Sequence, residues 1–245
     1  MTLRVKWARS QTYPRDMVEP GSTRHLPSGA VPAHAVPLGA LGGIPTPFEP
    51  PVRAASSAWL RTAPCHGVEE LDVVFGTRGE AAHCWCQYDR VPIPLFETLD
   101  DEHRREMLGI ELRQHPTPGV VATLGDERVG WCSVGPRSLF GRLRTAASTS
   151  SPATSADDPA VWSVTCFVIR PGYRRHGVAT ALLAGAIEHA RSGGAGWLEA
   201  YPTDSTGPAA VLDRLYRGSL ALFLQAGFEV VARPRPGRAI VRLEL

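Results

Sequence analysis

The stretch RPGYRRHGVATALL, residues 170–183, follows directly on VWSVTCFVIR and constrains the fold more than any other part of the chain. The run from Val161 to Ile169 is dense in β-branched and aromatic residues and apolar on both faces at several positions, the pattern of a central strand. From Thr180 the apolar residues Leu183, Ile187 and Ala190 recur at helical spacing until Gly193-Gly194 stop them. Strand, tight loop and helix are therefore expected in immediate succession, as in an α/β chain.

The first turn of a helix leaves backbone N–H groups unpaired at the positive end of the helix dipole, so this junction attracts phosphate. Gly177 lets the backbone approach an anion with no Cβ in the way, and Ala179 keeps the opposite side low. Thr180 adds a hydroxyl, and Arg174 and Arg175 add charge. His176 can donate through its side chain or its backbone, and only the backbone role is independent of residue type. A pyrophosphate fits this reading. The competing one is an ordinary loop with solvated arginines. Neither GxxxxGK[ST] nor GxGxxG occurs, which disfavours a nucleoside triphosphate or a dinucleotide.

Upstream, SSAWLRTA reads as a short strand near Trp59 to Thr62, and GVEELDVVFG as a helix with Val68, Leu71 and Phe75 on one side. A second helix is expected in LDDEHRREMLGIELRQH, entered by Asp100, Asp101 and Glu102 and ended before Pro116. GVVATLGDERVGWCSVGP reads as a hairpin turning at Gly125-Asp126. The Ser/Thr/Ala/Pro-rich stretch after it, from Arg137 to Ala160, reads as a long loop able to cover a substrate.

Residues 1–56 carry nine prolines and no periodic apolar pattern, so a loosely ordered extension is expected ahead of a domain spanning 57–245. The formal charge of +2, from 26 basic and 24 acidic residues, gives no support to a nucleic-acid partner. Five scattered cysteines fit a reducing compartment, hence the cytoplasm, and no apolar run is long enough to span a membrane. Cys65-His66 and His83-Cys84-Trp85-Cys86 gather five candidate metal ligands. The CxC spacing is poor for a metal knuckle, however, so packing or the lining of a pocket is the expected role and no metal is assigned.

RRHGVA at 174–179 resembles the [RQ]xxGx[GA] acyl-CoA loop of the GNAT N-acetyltransferase superfamily. SLALFLQAGFEVV, the CWC element, VGWCSVGPR, WSVTCF and EAYP extend the similarity over about residues 65–245. The resemblance implies an α/β fold with a mixed central sheet, splayed parallel strands and helices on both faces. It implies acetyl-CoA as acyl donor, with Phe167, Val168 and Ile169 pairing with the pantetheine arm. Arg174, Arg175, His176, Gly177, Val178, Ala179 and Thr180 would take the pyrophosphate, Ser219 and Phe223 would lie beside the cofactor, and the N–H near Phe167 would face the thioester oxygen.

An amine nucleophile must lose a proton before attack on the thioester, through a tetrahedral intermediate. Glu199, inside the apolar WLEAY, is the candidate base, with Tyr201 on the same strand face. The alternative for Glu199 is a salt bridge to an arginine. The family often places a tyrosine general acid where this chain has Phe223, so water, Tyr216 or Tyr201 would have to serve. The expected activity is acetyl transfer to a primary amine, a small molecule or a protein lysine, with room for a homodimer. A non-catalytic acyl-CoA sensor and a metal-stabilised interaction domain are the alternatives.

Overall fold

The computed structural model of the chain describes residues 60–145, 158–204 and 216–245. The Pro/Gly-rich extension 1–56, Trp59 and the loop residues 146–157 lie outside the described residues. Seven strands form one sheet in the order β1-β2-β3-β4-β5-β7-β6. In chain order they are β1 (Leu60–Pro64), β2 (Gly119–Leu124), β3 (Glu127–Pro136), β4 (Val161–Ile169), β5 (Trp197–Ala200), β6 (Glu229–Arg235) and β7 (Arg238–Glu244). Only β4 and β5 pair in parallel; every other neighbouring pair is antiparallel. This is the mixed α/β architecture expected from the sequence.

The helices sort onto two faces because strand side chains alternate. Val120 and Ala122 of β2 and Cys132 and Val134 of β3 join one core with α6 (Val178–Ser192), whose Val178, Leu182, Leu183, Ala186 and Ala190 are all buried. Val121, Trp131 and Val168 point the other way, into a second core with α1 (Glu69–Phe75) and α4 (Asp101–Leu112). Gly130 marks how closely α6 lies on the sheet: a Cβ there would sit 2.9 Å from a methyl of Val178.

The periodic helices appear where the pattern predicts. Val68, Leu71 and Phe75 are buried together around α1, and α4 starts at Asp100, whose carboxylate accepts from the His103 N–H at 2.9 Å. Two further short helices stand between them, α2 (Glu80–Cys84) and α3 (Ile93–Thr98), neither of them predicted. Five and six residues are too short to show a 3.6-residue period, and α3 buries none of its residues. The stretch read as a loop from Arg137 also begins ordered, as a 3₁₀ turn (Arg137–Leu139) and α5 (Gly141–Thr145). Phe140 and Leu143, three residues apart, anchor it in a small cluster with Tyr201 and Ile240. Near the C-terminus α7 (Leu220–Gln225) is capped by Ser219, which accepts from Leu222 N–H at 3.3 Å, and the chain leaves it through Gly227 at φ 88°.

Candidate active site

The junction between β4 and α6 is an exposed, cation-bearing helix start. α6 begins two residues before the periodicity suggests, with Gly177 as N-cap at φ 78°. Arg175 also lies in the left-handed region at φ 63°, so the loop turns sharply twice within three residues. No side chain caps the helix and its first turn holds no acid, which leaves the first amides without an internal partner. A Cβ on Gly177 would meet nothing within 4 Å, so the loop is uncrowded at this position. Arg174, Arg175, His176 and Thr180 are exposed, Ala179 is half-buried and Val178 contributes backbone only, its side chain being in the core. Arg175 and His176 form no hydrogen bond or ion pair among the described residues. The donors and charges suit an anion of pyrophosphate size.

β4 carries this loop to a gap in the sheet. Its parallel pairing with β5 runs from Val161↔Trp197 to Val164↔Ala200 and stops there, while β4 continues to Ile169. Thr165 is an extra residue against β3, whose register moves from Ser133↔Cys166 to Val134↔Val164. A bulge of this kind bends its strand and re-aims it. The parallel pairing thus ends at Val164↔Ala200, and among the described residues no strand pairs with that edge of β4 from Thr165 onward.

Part of that opening is bridged by residues 216–219. Phe167 N–H donates to the Tyr216 carbonyl at 2.6 Å, and Thr203 N–H donates to the Gly218 carbonyl at 3.3 Å. The Ile169 carbonyl accepts from Arg174 Nε at 3.4 Å. Phe167 and Ile169, predicted to pair with a pantetheine arm, therefore already have partners within the chain, and the Phe167 N–H does not face an open space. Phe223 is fully buried, edge-on to Phe167 and Phe228 with ring centroids 6.0 and 5.2 Å away, so it offers no surface to a cofactor. Ser219 is exposed beside it.

Glu199 sits in a buried ionic network. It is wholly excluded from solvent, accepts from Arg242 through Nε at 3.1 Å and also through Nη2, and lies 3.3 Å from Arg137 Nη1. The Tyr201 hydroxyl donates to its other oxygen at 3.1 Å and lies 3.2 Å from Ser163 Oγ. This is the salt-bridge alternative to a catalytic base, doubled: two guanidiniums and a phenol fill the lone pairs a base would need free. Burial, and then the Glu199 charge, push the Tyr201 phenol well above its usual range, making it a reluctant proton donor. The network ties β5 to β7 and to the start of the 3₁₀ turn. Arg137, Ser163, Glu199 and Tyr201 were legible as motif residues, but Arg242 and the pairing across four segments were not.

On the sheet face opposite α6, a cavity of about 500 Å³ opens beside the bulged part of β4. Thr165, Cys166 and Val168 form its floor, and the CWC element and Tyr216-Arg217 line its sides. The three thiols are free. Burial and the neighbouring Cys86 push Cys84 up to about 12, and a hydrogen bond to Cys86 together with burial raises Cys166. Among the described residues no group of three or more His, Cys, Asp or Glu is placed to hold a metal ion. Cys65 is buried apart with its Sγ 3.4 Å from the Gly67 carbonyl, so the five candidate ligands are not brought to one point. Asp89, Arg217 and the ring wall of the cavity carry no sequence motif and were not legible beforehand.

The sequence profile described as the acetyltransferase (GNAT) family matches residues 82–216, more than half the chain, and this span includes the CWC element, the bulged strand and the α6 loop. The chain belongs to the GNAT acetyltransferase family. No curated protein matches it. Among solved structures it is similar to the PaiA N-acetyltransferase of Thermoplasma acidophilum in complex with coenzyme A, at 11% identity over 76% of this chain and 99% of that one, TM-score 0.46. YncA of Salmonella typhimurium with acetyl-CoA is similar at 17% identity over 76% and 94%, TM-score 0.43. The ribosomal-protein-alanine N-acetyltransferase of Brucella melitensis is similar at 19% identity over 76% and 99%, TM-score 0.44. No helix among the described residues is long and apolar enough to cross a membrane.

Proposed function

We propose that this GNAT protein transfers an acetyl group from acetyl-CoA to a primary amine, a small molecule or a protein lysine, in the cytoplasm. Acetyl-CoA is the cosubstrate that membership of this family supplies. The observation that carries the reading is the exposed, uncapped start of α6, with Gly177 in the left-handed region and Arg174 and Arg175 beside it. That turn would hold the pyrophosphate through the amides of Gly177 to Thr180. The edge of β4 at Phe167 to Ile169 would hold the pantetheine arm once the Tyr216 carbonyl releases the Phe167 amide. When bound, the cosubstrate supplies an activated acyl group, so the chain needs no covalent intermediate of its own.

The chain's residues then orient the acceptor, exclude water and accept a proton. Glu199 and Tyr201 serve this chemistry as positioning residues: their network fixes the end of β5 where the strands part. The amine proton leaves to water or to a carboxylate facing the cavity. Thiol release from acetyl-CoA with a panel of primary amines tests the reading. Release that depends on an amine supports it; binding of acetyl-CoA without release for any amine favours a sensor.

A further inference from the structure

The loop between β4 and α6 is fastened to the start of β3 by side chains outside its glycine and paired arginines. Arg170 N–H donates to the Val129 carbonyl at 3.1 Å, and Arg170 Nη1 donates to the Arg128 carbonyl at 3.0 Å and to Glu127 Oε2 at 3.2 Å. Tyr173 N–H donates to the Arg170 carbonyl at 3.1 Å, closing a β-turn through Pro171 and Gly172, the latter at φ 90°. That turn brings the Tyr173 hydroxyl to the same carboxylate oxygen, Glu127 Oε2, at 2.5 Å. The Arg170 guanidinium lies 5.1 Å from the centre of the Tyr173 ring, which packs against the core under α6.

Glu127 is the shared acceptor of this arrangement. It is exposed at the first position of β3, and the hydrogen bond from Tyr173, followed by that from Arg170, holds its carboxyl below the usual range, so it is charged at neutral pH. An anion beside a loop that binds an anion is unfavourable by charge alone. Its contacts point to a different role. An exposed ion pair adds little to global stability, but ordering a loop before its ligand arrives removes an entropic cost of binding. Arg170 is committed to Glu127 and to the Arg128 carbonyl, which leaves Arg174 and Arg175 as the arginines at the helix start.

We propose that Glu127 is a positioning residue for coenzyme A: by accepting from Tyr173 and Arg170 it holds residues 170–173 against β3 and so presets the loop that leads to the amides of Gly177 onward. The proposal rests on the acetyl-CoA reading of that loop and adds a residue to it from another strand. Glu127 acts through Tyr173 and Arg170 and touches no part of the cosubstrate. Its oxygen as acceptor, and not its charge, is what the loop requires.

Calorimetric titration of coenzyme A into the full chain, as parent, Glu127→Ala, Glu127→Gln and Tyr173→Phe, separates the two effects. Alanine and glutamine remove the same charge, but only glutamine keeps an oxygen able to accept from Tyr173 and Arg170. Glu127→Ala should weaken binding about five-fold or more, and Glu127→Gln should stay within about two-fold of the parent. Tyr173→Phe should also weaken binding, and the double variant Glu127→Ala/Tyr173→Phe should be no weaker than Glu127→Ala alone. Melting temperatures without ligand should stay together, as expected for an exposed contact. Binding by Glu127→Ala as tight as the parent's, or tighter, overturns the proposal, and equal weakening by alanine and glutamine overturns the acceptor role. Should Glu127→Ala fail to fold, Tyr173→Phe decides, and unchanged affinity there overturns the proposal. A parent protein that binds coenzyme A while every variant matches it removes only the role of Glu127, whereas a parent that does not bind coenzyme A removes the acetyl-CoA reading and this role with it.

Discussion

At the scale of single residues, the buried carboxylate of Glu199 separates two accounts of this protein. A carboxylate held between Arg137 and Arg242 compensates two charges that would otherwise be stranded out of water. Glu199→Gln should therefore lower stability by about 3–5 kcal/mol, read from denaturant midpoints. A base would instead give a variant as stable as the parent with a changed pH–rate profile. The cavity thiols make a second prediction. With Cys84 pushed up to about 12 and Cys166 also raised, they stay protonated at pH 8 and should alkylate far more slowly than thiols in the unfolded chain, as followed by mass spectrometry. The linkage has a definite sign. Between about pH 9, where unfolded thiols ionise, and the higher folded values, the folded state holds more protons, so stability falls as pH rises through that window. Urea midpoints that stay constant from pH 8 to 10.5 would contradict it. The sequence shows that Glu199 is an acid in an apolar strand, but the two arginines that explain it come from positions 62 residues before and 43 after. No local pattern joins them.

At the scale of elements, the β4–α6 junction is where sequence and structure agree most closely. The strand was legible from β-branched density and the helix from its period, because both are local properties of nine or more residues. The left-handed Gly177 is local too. Gly177→Val should cost about 1–2 kcal/mol, since its side chain would meet no neighbour but would be forced to φ 78°, whereas Gly177→Asn should melt close to the parent. Equal melting of the two variants would contradict a left-handed conformation there. The short helices α2 and α3 escaped detection for the opposite reason. α2 ends at Trp85 and Cys86, both with positive φ, and that turn is set by packing of Trp85 on Phe75 and of Cys86 under the Trp131 N–H rather than by any turn-forming residue. The segment Tyr216–Ser219 is likewise an element defined only by what it bridges.

At the scale of the whole molecule, one device recurs: strands that must part. The parallel pair β4–β5 ends at Val164↔Ala200, next to the register shift of β4 against β3 and next to the Glu199 network that joins β5 to β7. Two features lie on opposite sides of the sheet, the exposed start of α6 proposed to hold the pyrophosphate on one face and the ring-walled cavity on the other. The fold class and the strand–loop–helix junction were legible because they rest on periodicity and a short motif. The cavity was not, since its walls come from six separated segments that only the folded sheet brings together. The account stands on the α6 junction, and calorimetric titration of coenzyme A into the parent protein and the double variant Arg174→Glu/Arg175→Glu tests it most directly. The charge reversal should weaken binding about ten-fold or more while the melting temperature stays unchanged. Equal affinity for the two proteins would contradict the assignment of this loop and the acetyltransferase mechanism built on it.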